Sequence, residues 1–318
     1  MLDLISFKDE FVSQCRSALF DLGAEDMKIE EQTVNKSQRG TLNGMLFIRE
    51  GHNCAPTLYI EDYYSAYKAG SSIKHLSHSA VETVISSLET ADMLAKETEE
   101  LIGDPQRNLR VRLINRGRNK EYLKGIPCRE LDSGFVFIAE IDRDEYLAVI
   151  TDSLLKEYEN KYEMTKDELF DTAIENTVGK YPAVLHDLGE SIIGDPESCV
   201  NLLTQPAVMV PAGAGPGFVL TNSRYFWGAG ALFYPGVADR IHELLGGDFY
   251  VLPSSVHELI LIAADGQDEQ LLTRMVRSAN RSVVEDRDIL ADDLYIYESG
   301  RLRRVSYSGV IPPSMMPC

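Results

Sequence analysis

The residues best suited to chemistry fall in Leu252-Pro253-Ser254-Ser255-Val256-His257-Glu258, where a hydroxyl, an imidazole and a carboxylate lie within a few positions. Ser255 as nucleophile with His257 as base would make a hydrolase. The spacing argues against it. On an extended strand Ser255 and His257 share a face while Glu258 points away, whereas triads assemble from separate elements, with the orienting carboxylate behind the base. No G-x-S-x-G elbow presents a strained nucleophile. A second grouping, Gly51-His52-Asn53-Cys54, sets a thiol beside an imidazole, but no family-specific cysteine signature surrounds Cys54. The simpler readings are a hydrogen-bonded turn for Ser255 and His257, with the imidazole structural, and a loop thiol for Cys54. These three residues are the catalytic candidates.

Metals and cofactors find less support. His75 and His78 share a helix face at i, i+3, yet no third or fourth ligand lies nearby. The five cysteines (Cys15, Cys54, Cys128, Cys199, Cys318) are scattered without a CxxC pair, so neither a zinc site nor a disulfide framework is expected, and all five are read as thiols. Phosphate loops follow a strand and open a helix. The glycine-rich stretch Ala212 to Gly217 and the group Gly228-Ala229-Gly230 both precede strand-like runs instead. Val178-Gly179-Lys180-Tyr181 lacks the upstream glycine and the following Ser/Thr of such a loop. No metal and no cofactor are expected.

Charge narrows the partners. Fifty acidic against 31 basic residues leave a net charge of −19 over 318 residues, which opposes binding to nucleic-acid phosphates and to anionic lipid. Local basic runs, Arg107 to Arg112 and Arg116 to Lys120, leave room for a small basic patch. No apolar run reaches the roughly 18–20 residues of a membrane span. Met1 to Phe20 is too charged for a leader's apolar region, so a cytoplasmic protein is expected.

The elements that must position these groups alternate in type. Apolar residues at helical spacing from Leu4 to Leu22, stopped by Gly23, predict a helix. Strands follow at Met27–Val34, Gly44–Arg49 and Thr57–Ile60, then a helix capped by Asp62 and a longer one from Ser79. A boundary falls at Gly103-Asp104-Pro105. In the middle third, Leu109–Ile114 and Asn119–Lys124 read as helical, Gly134–Ile141 and Tyr146–Ile150 as strands. Thr165 with Glu168 forms a capping box. Leu58–Asp62 and Ala148–Asp152 align as an internal repeat. The last third carries strands at Phe218–Thr221 and Ala229–Tyr234, and a helix Val237–Leu245 stopped by two glycines. A strand pair follows at Asp248–Pro253 and Glu258–Ala263, then an amphipathic helix Gln267–Asn280 with Leu272 and Met275 buried. A hairpin across Ser299-Gly300 ends the series. The class is α+β: three successive strand-and-helix units with mainly antiparallel sheets, at 1–102, 103–210 and 211–318.

The strings Val219-Leu220-Thr221-Asn222, Tyr234-Pro235-Gly236 and Tyr250 to Glu258, with Pro56 to Ile60 and Tyr63-Tyr64, resemble a bacterial domain-of-unknown-function family of gut Firmicutes of the Clostridia type. The resemblance spans nearly the whole chain and implies no activity, so it assigns no catalytic residue. The leading expectation is a non-catalytic interaction or regulatory protein with a protein partner. A Ser- or Cys-dependent hydrolase and a nucleic-acid-associated factor of a mobile element are the rivals.

Overall fold

Asp3 starts the first helix, its carboxylate accepting the Ser6 N–H at 2.8 Å. Helix α1 (Leu4–Asp21) then buries Phe7, Phe11, Cys15, Ala18 and Leu19 along one stripe. The computed structural model describes residues 1–37, 39–51, 55–103, 105–143, 146–193, 199–206 and 217–306. The chain divides into two compact units, Met1–Pro105 and Gln106–Cys318.

In the first unit β1 (Lys28–Lys36) and β2 (Gly40–Ile48) form a hairpin, and β3 (Thr57–Tyr59) adds antiparallel to β2. Helices α2 (Ile60–Lys68) and α3 (Ile73–Ile102) follow. Met45 and Phe47 of β2, Phe7 and Phe11 of α1, and Val81 and Val84 of α3 make one core. Asp62 does not cap α2. It lies inside the first turn, where a carboxylate still favours the helix dipole, and pairs with Arg39.

The second unit begins with the one-turn α4 (Pro105–Asn108) and holds two antiparallel sheets. The smaller joins β4 (Leu109–Asn115), β5 (Cys128–Glu130), β6 (Phe135–Arg143) and β7 (Tyr146–Val149). β4 lines one side of β6, and β5 and β7 pair with its other side. Leu109–Asn115 is therefore a strand where a helix was expected. Its apolar and arginine residues alternate, and that period of two belongs to a sheet. Asn119–Lys124 forms turns. Helices α5 (Asp152–Tyr162), capped by Thr151, and α6 (Lys166–Lys180), with the full Thr165–Glu168 capping box, come next. As in the first unit, antiparallel strands precede two helices here, with four strands in place of three.

The larger sheet contains β8 (Ala183–Asp187), β9 (Phe218–Asn222), β10 (Phe249–Leu252), β11 (Leu259–Ala263), β12 (Tyr295–Glu298) and β13 (Arg301–Arg304), in the order β13-β12-β10-β11-β9-β8. The expected boundary at 211 falls between β8 and β9, which are neighbours in this one sheet. Helices α7 (Leu188–Ile193), α8 (Val237–Leu245) and α9 (Glu269–Ser282) surround it. Ala229–Tyr234, expected as a strand, is instead a 3-10 segment, Gly228–Phe233; its small residues lack the β-branched side chains that fill a pleated surface. Phe233 meets Phe135 and Phe137 of β6 at ring separations of 5.9 and 6.2 Å, joining the two sheets' apolar faces.

Side chains engage backbone groups on outer strands of the second unit. The Thr177 hydroxyl accepts the Val111 N–H on β4. Asn201 accepts the Leu185 N–H and donates to the Ala183 carbonyl on β8. On β13, Leu302 donates its N–H to Asp132 and accepts from the Ser133 hydroxyl. Among the described residues no helix is long and apolar enough to cross a membrane.

β10 and β11 pair antiparallel with Tyr250 opposite Ile262, as expected. α9 covers Tyr250, Leu252 and Ile296 with Leu272 and Val276. Met275, expected inside, is 49% exposed. One helical face can bury residues 272 and 276, and 275 turns away from it. Leu272→Ala should therefore lower unfolding free energy by about 2–5 kcal/mol, while Met275→Ala should change it by less than about 1 kcal/mol. Urea titrations of the two variants, compared at constant m-value, check the assignment.

Candidate functional site

Alternation along β4 and β6 brings charges together. Arg110 lies opposite Glu140 and Arg112 opposite Ile138, so Arg110, Arg112, Glu140 and Asp142 share one face of the sheet. The other face carries Leu109, Leu113, Phe135, Phe137 and Ile141 into the core. Both carboxylates are almost fully buried, Glu140 at 2% and Asp142 at 5% exposure. Buried charge requires partners, and several elements supply them.

Glu140 accepts from Arg112 through Nε at 2.9 Å and Nη2 at 2.6 Å, and Arg112 also donates to the Tyr122 hydroxyl at 3.2 Å. Burial opposes the charge on Arg112, but the Glu140 carboxylate and the Tyr122 hydroxyl together outweigh it and hold the guanidinium above its ordinary range. Asp142 accepts from Lys180 Nζ at 2.9 Å and from the Tyr181 hydroxyl at 2.8 Å, both from the C-terminal end of α6. Arg110 Nε stands 3.4 Å and Arg224 Nη1 3.7 Å from the same carboxylate. Four cations thus surround two carboxylates.

The aromatic wall of this cleft comes from the turn after β9. Asn222, itself buried, shapes that turn by accepting the Arg224 N–H and donating to the Phe226 carbonyl. Tyr225 and Trp227 both adopt left-handed backbone, at φ 54° and 55°, which costs on the order of 1–3 kcal/mol each for such side chains. Trp227 then lies over the Arg112 guanidinium at 4.5 Å. Gly228 is required at the next position. A Cβ there would stand 2.6 Å from the Asn222 nitrogen and 2.7 Å from the His257 oxygen, both backbone atoms that cannot give way.

The expected site residues sit behind this wall. His257 Nδ1 accepts the Trp227 N–H at 3.2 Å, Nε2 faces Asp288 at 3.4 Å, and the ring stacks on Phe226 at 4.8 Å. The Ser255 hydroxyl accepts the His257 main-chain N–H at 3.0 Å and makes no bond to the imidazole. Burial raises the Glu258 carboxyl above its usual range against the lowering pull of His257 and Ser254. His186, 2% exposed, accepts from the Tyr225 hydroxyl through Nε2 at 3.1 Å and donates through Nδ1 to the Val200 carbonyl at 3.4 Å. Cys54 with His52, Cys318 and the glycine stretch 212–216 lie outside the described residues. Cys15 and Cys128 are free thiols. Cys15 is buried, and burial pushes its thiol up to about 12. His78 faces Glu82 at 3.4 Å, and among the described residues no group of three or more His, Cys, Asp or Glu is placed to hold a metal ion.

Arg112, Asp142, Lys180, Arg224 and Trp227 were not foreseen as a site. The one sequence signal was the basic run at 107–112. The family of unknown function DUF5688 matches residues 6–299, and the chain belongs to that family. No curated protein and no solved structure matches the chain.

Removing one partner of a buried pair leaves the other charge uncompensated. Glu140→Gln should therefore cost about 3–5 kcal/mol in urea denaturation; a loss under about 1 kcal/mol would place the Arg112–Glu140 pair in solvent contact. His186 gives a pH dependence. Burial holds its pKa below the ordinary value of 6.5, so the unfolded chain takes up the proton first. Stability is complete above about pH 6.5 and falls as pH drops below it. His186→Gln should flatten that part of a melting-temperature profile.

Proposed function

We propose that this chain is a bacterial cytoplasmic protein that acts by recognition, a non-catalytic interaction or regulatory protein whose binding site is the arginine-lined cleft of the second unit. The observation that carries this reading is the local charge excess. Among the described residues, Arg110, Arg112, Lys180 and Arg224 gather around Glu140 and Asp142 in a chain of net charge −19. Such a contrast attracts and orients an acidic group. The arginine over Trp227 and the exposed Phe226 add flat apolar surface at the same place.

Support for the non-catalytic part comes from how the reactive residues are used. A base needs a nucleophile's proton within about 2.6–3.2 Å. The acceptor nitrogen of His257 takes a backbone N–H, and Ser255 closes a local turn. His257 is thereby a positioning residue for Trp227. One observation favours the hydrolase reading: Asp288 on the second nitrogen is where an orienting carboxylate would stand.

Assays of the wild type and His257→Gln against generic ester, peptide and phosphoester substrates separate the two. Recognition predicts no turnover by either protein; hydrolysis by the wild type that disappears in a folded His257→Gln would overturn it. Affinity chromatography of native extract supplies the positive arm. A partner held by the wild type should be lost on Arg224→Gln.

A further inference from the structure

Three residues that line the cleft each bury a polar atom that makes no hydrogen bond within the protein: Arg110 Nε, Trp227 Nε1 and Asp142 Oδ1. Two are donors and one is an acceptor. We propose that together they bind the carboxylate end of a peptide, the group –NH–CHR–COO⁻, an inference that rests on the recognition reading above and names its ligand.

The terminal carboxylate accepts from Arg110 and Trp227, and the amide N–H of the same residue donates to Asp142. Arg110 Nε and Asp142 are neighbours, 3.4 Å apart through the other carboxylate oxygen, so one residue's carboxylate and amide suffice to reach both. Four cations gathered around Glu140 and Asp142 favour an anionic group, and arginine's planar fork suits a carboxylate. Asp142 explains why a bare anion is not the best fit. Its side chain is 1% exposed, and Oδ1, which faces Arg224 Nη1 at 3.7 Å without a hydrogen bond, is an acceptor that favours a ligand carrying a donor.

Size gives an independent limit. The half-open space is about 30 Å³, room for a small end group and not for a whole side chain. The last side chain of the peptide has Tyr181, Tyr234 and Phe226 around it, Phe226 being 40% exposed. Capture of a chain terminus by preset donors is an established mode of peptide recognition.

Trp227 is the one tryptophan in the chain, so its emission reports the cleft directly. Acetyl-Ala-Ala with a free carboxylate should shift that emission saturably. Its C-terminal amide, which lacks the anion, and propionate, which lacks the N–H, should each bind roughly tenfold more weakly or worse. Arg110→Lys keeps the charge but loses the Nε–H, and should weaken the free acid by roughly tenfold. Should that variant melt early, the comparison of acid with amide on the wild type stands without it. Equal responses to acid and amide, or none to either, overturn the inference. Propionate or inorganic phosphate binding as tightly as the peptide acid also overturns it, while leaving the cleft a recognition site for simple anions.

Discussion

Strand β6 carries two carboxylates, Glu140 and Asp142, on a face that excludes water, and the arrangement of the second unit answers to that desolvation. A strand's alternation allows one face to be core and the other to be charged, but the charged face tolerates burial only if cations reach it. They come from β4, from the end of α6 and from the turn after β9. Three separate segments are thereby held in register by electrostatics as well as by packing. Lys180 shows the balance. Burial lowers its affinity for a proton, yet the Asp142 carboxylate and the Tyr181 hydroxyl together outweigh burial and raise its pKa.

The turn from Asn222 to Gly228 shows where that order is concentrated. Two left-handed residues without a glycine, a buried asparagine bridging its own backbone, and a glycine that admits no side chain set the position of Trp227. His257 completes the support from the neighbouring loop. Local strain held by surrounding bonds is a means of preorganisation. A flat indole placed this way keeps its position on Arg112 whatever occupies the cleft.

Features that were legible in the sequence are the local ones. The Thr165 capping box, the glycine stop after α8 and the Ser299-Gly300 hairpin depend on residues a few positions apart, and chemistry at that range follows from residue type. The α+β class with antiparallel sheets follows in the same way. β4 was misread because arginine is a good helix former and is seldom buried unless paired. Only Glu140, far along the chain, makes Arg112 an inward-facing strand residue. The cleft itself was invisible for the same reason, since its parts lie near positions 110, 140, 180 and 225. Val178 to Tyr181 lacks the pattern of a phosphate loop, yet its last two residues reach Asp142. Ser255 and His257, conspicuous as types, make their closest bonds to main chain.

The side chains along the sheet margins bear on how this protein meets others. An open strand edge offers a row of amides and carbonyls to any passing extended chain, and that offer leads to stacking of copies and to fibre growth. Thr177 takes such a group on β4, Asn201 occupies two on β8, and Asp132 and Ser133 occupy both on Leu302 of β13. Further strands therefore find these margins already engaged. The outer strands of the second unit thereby offer fewer open groups to a neighbouring copy, and loss of one of these side chains would reopen a backbone group to self-association.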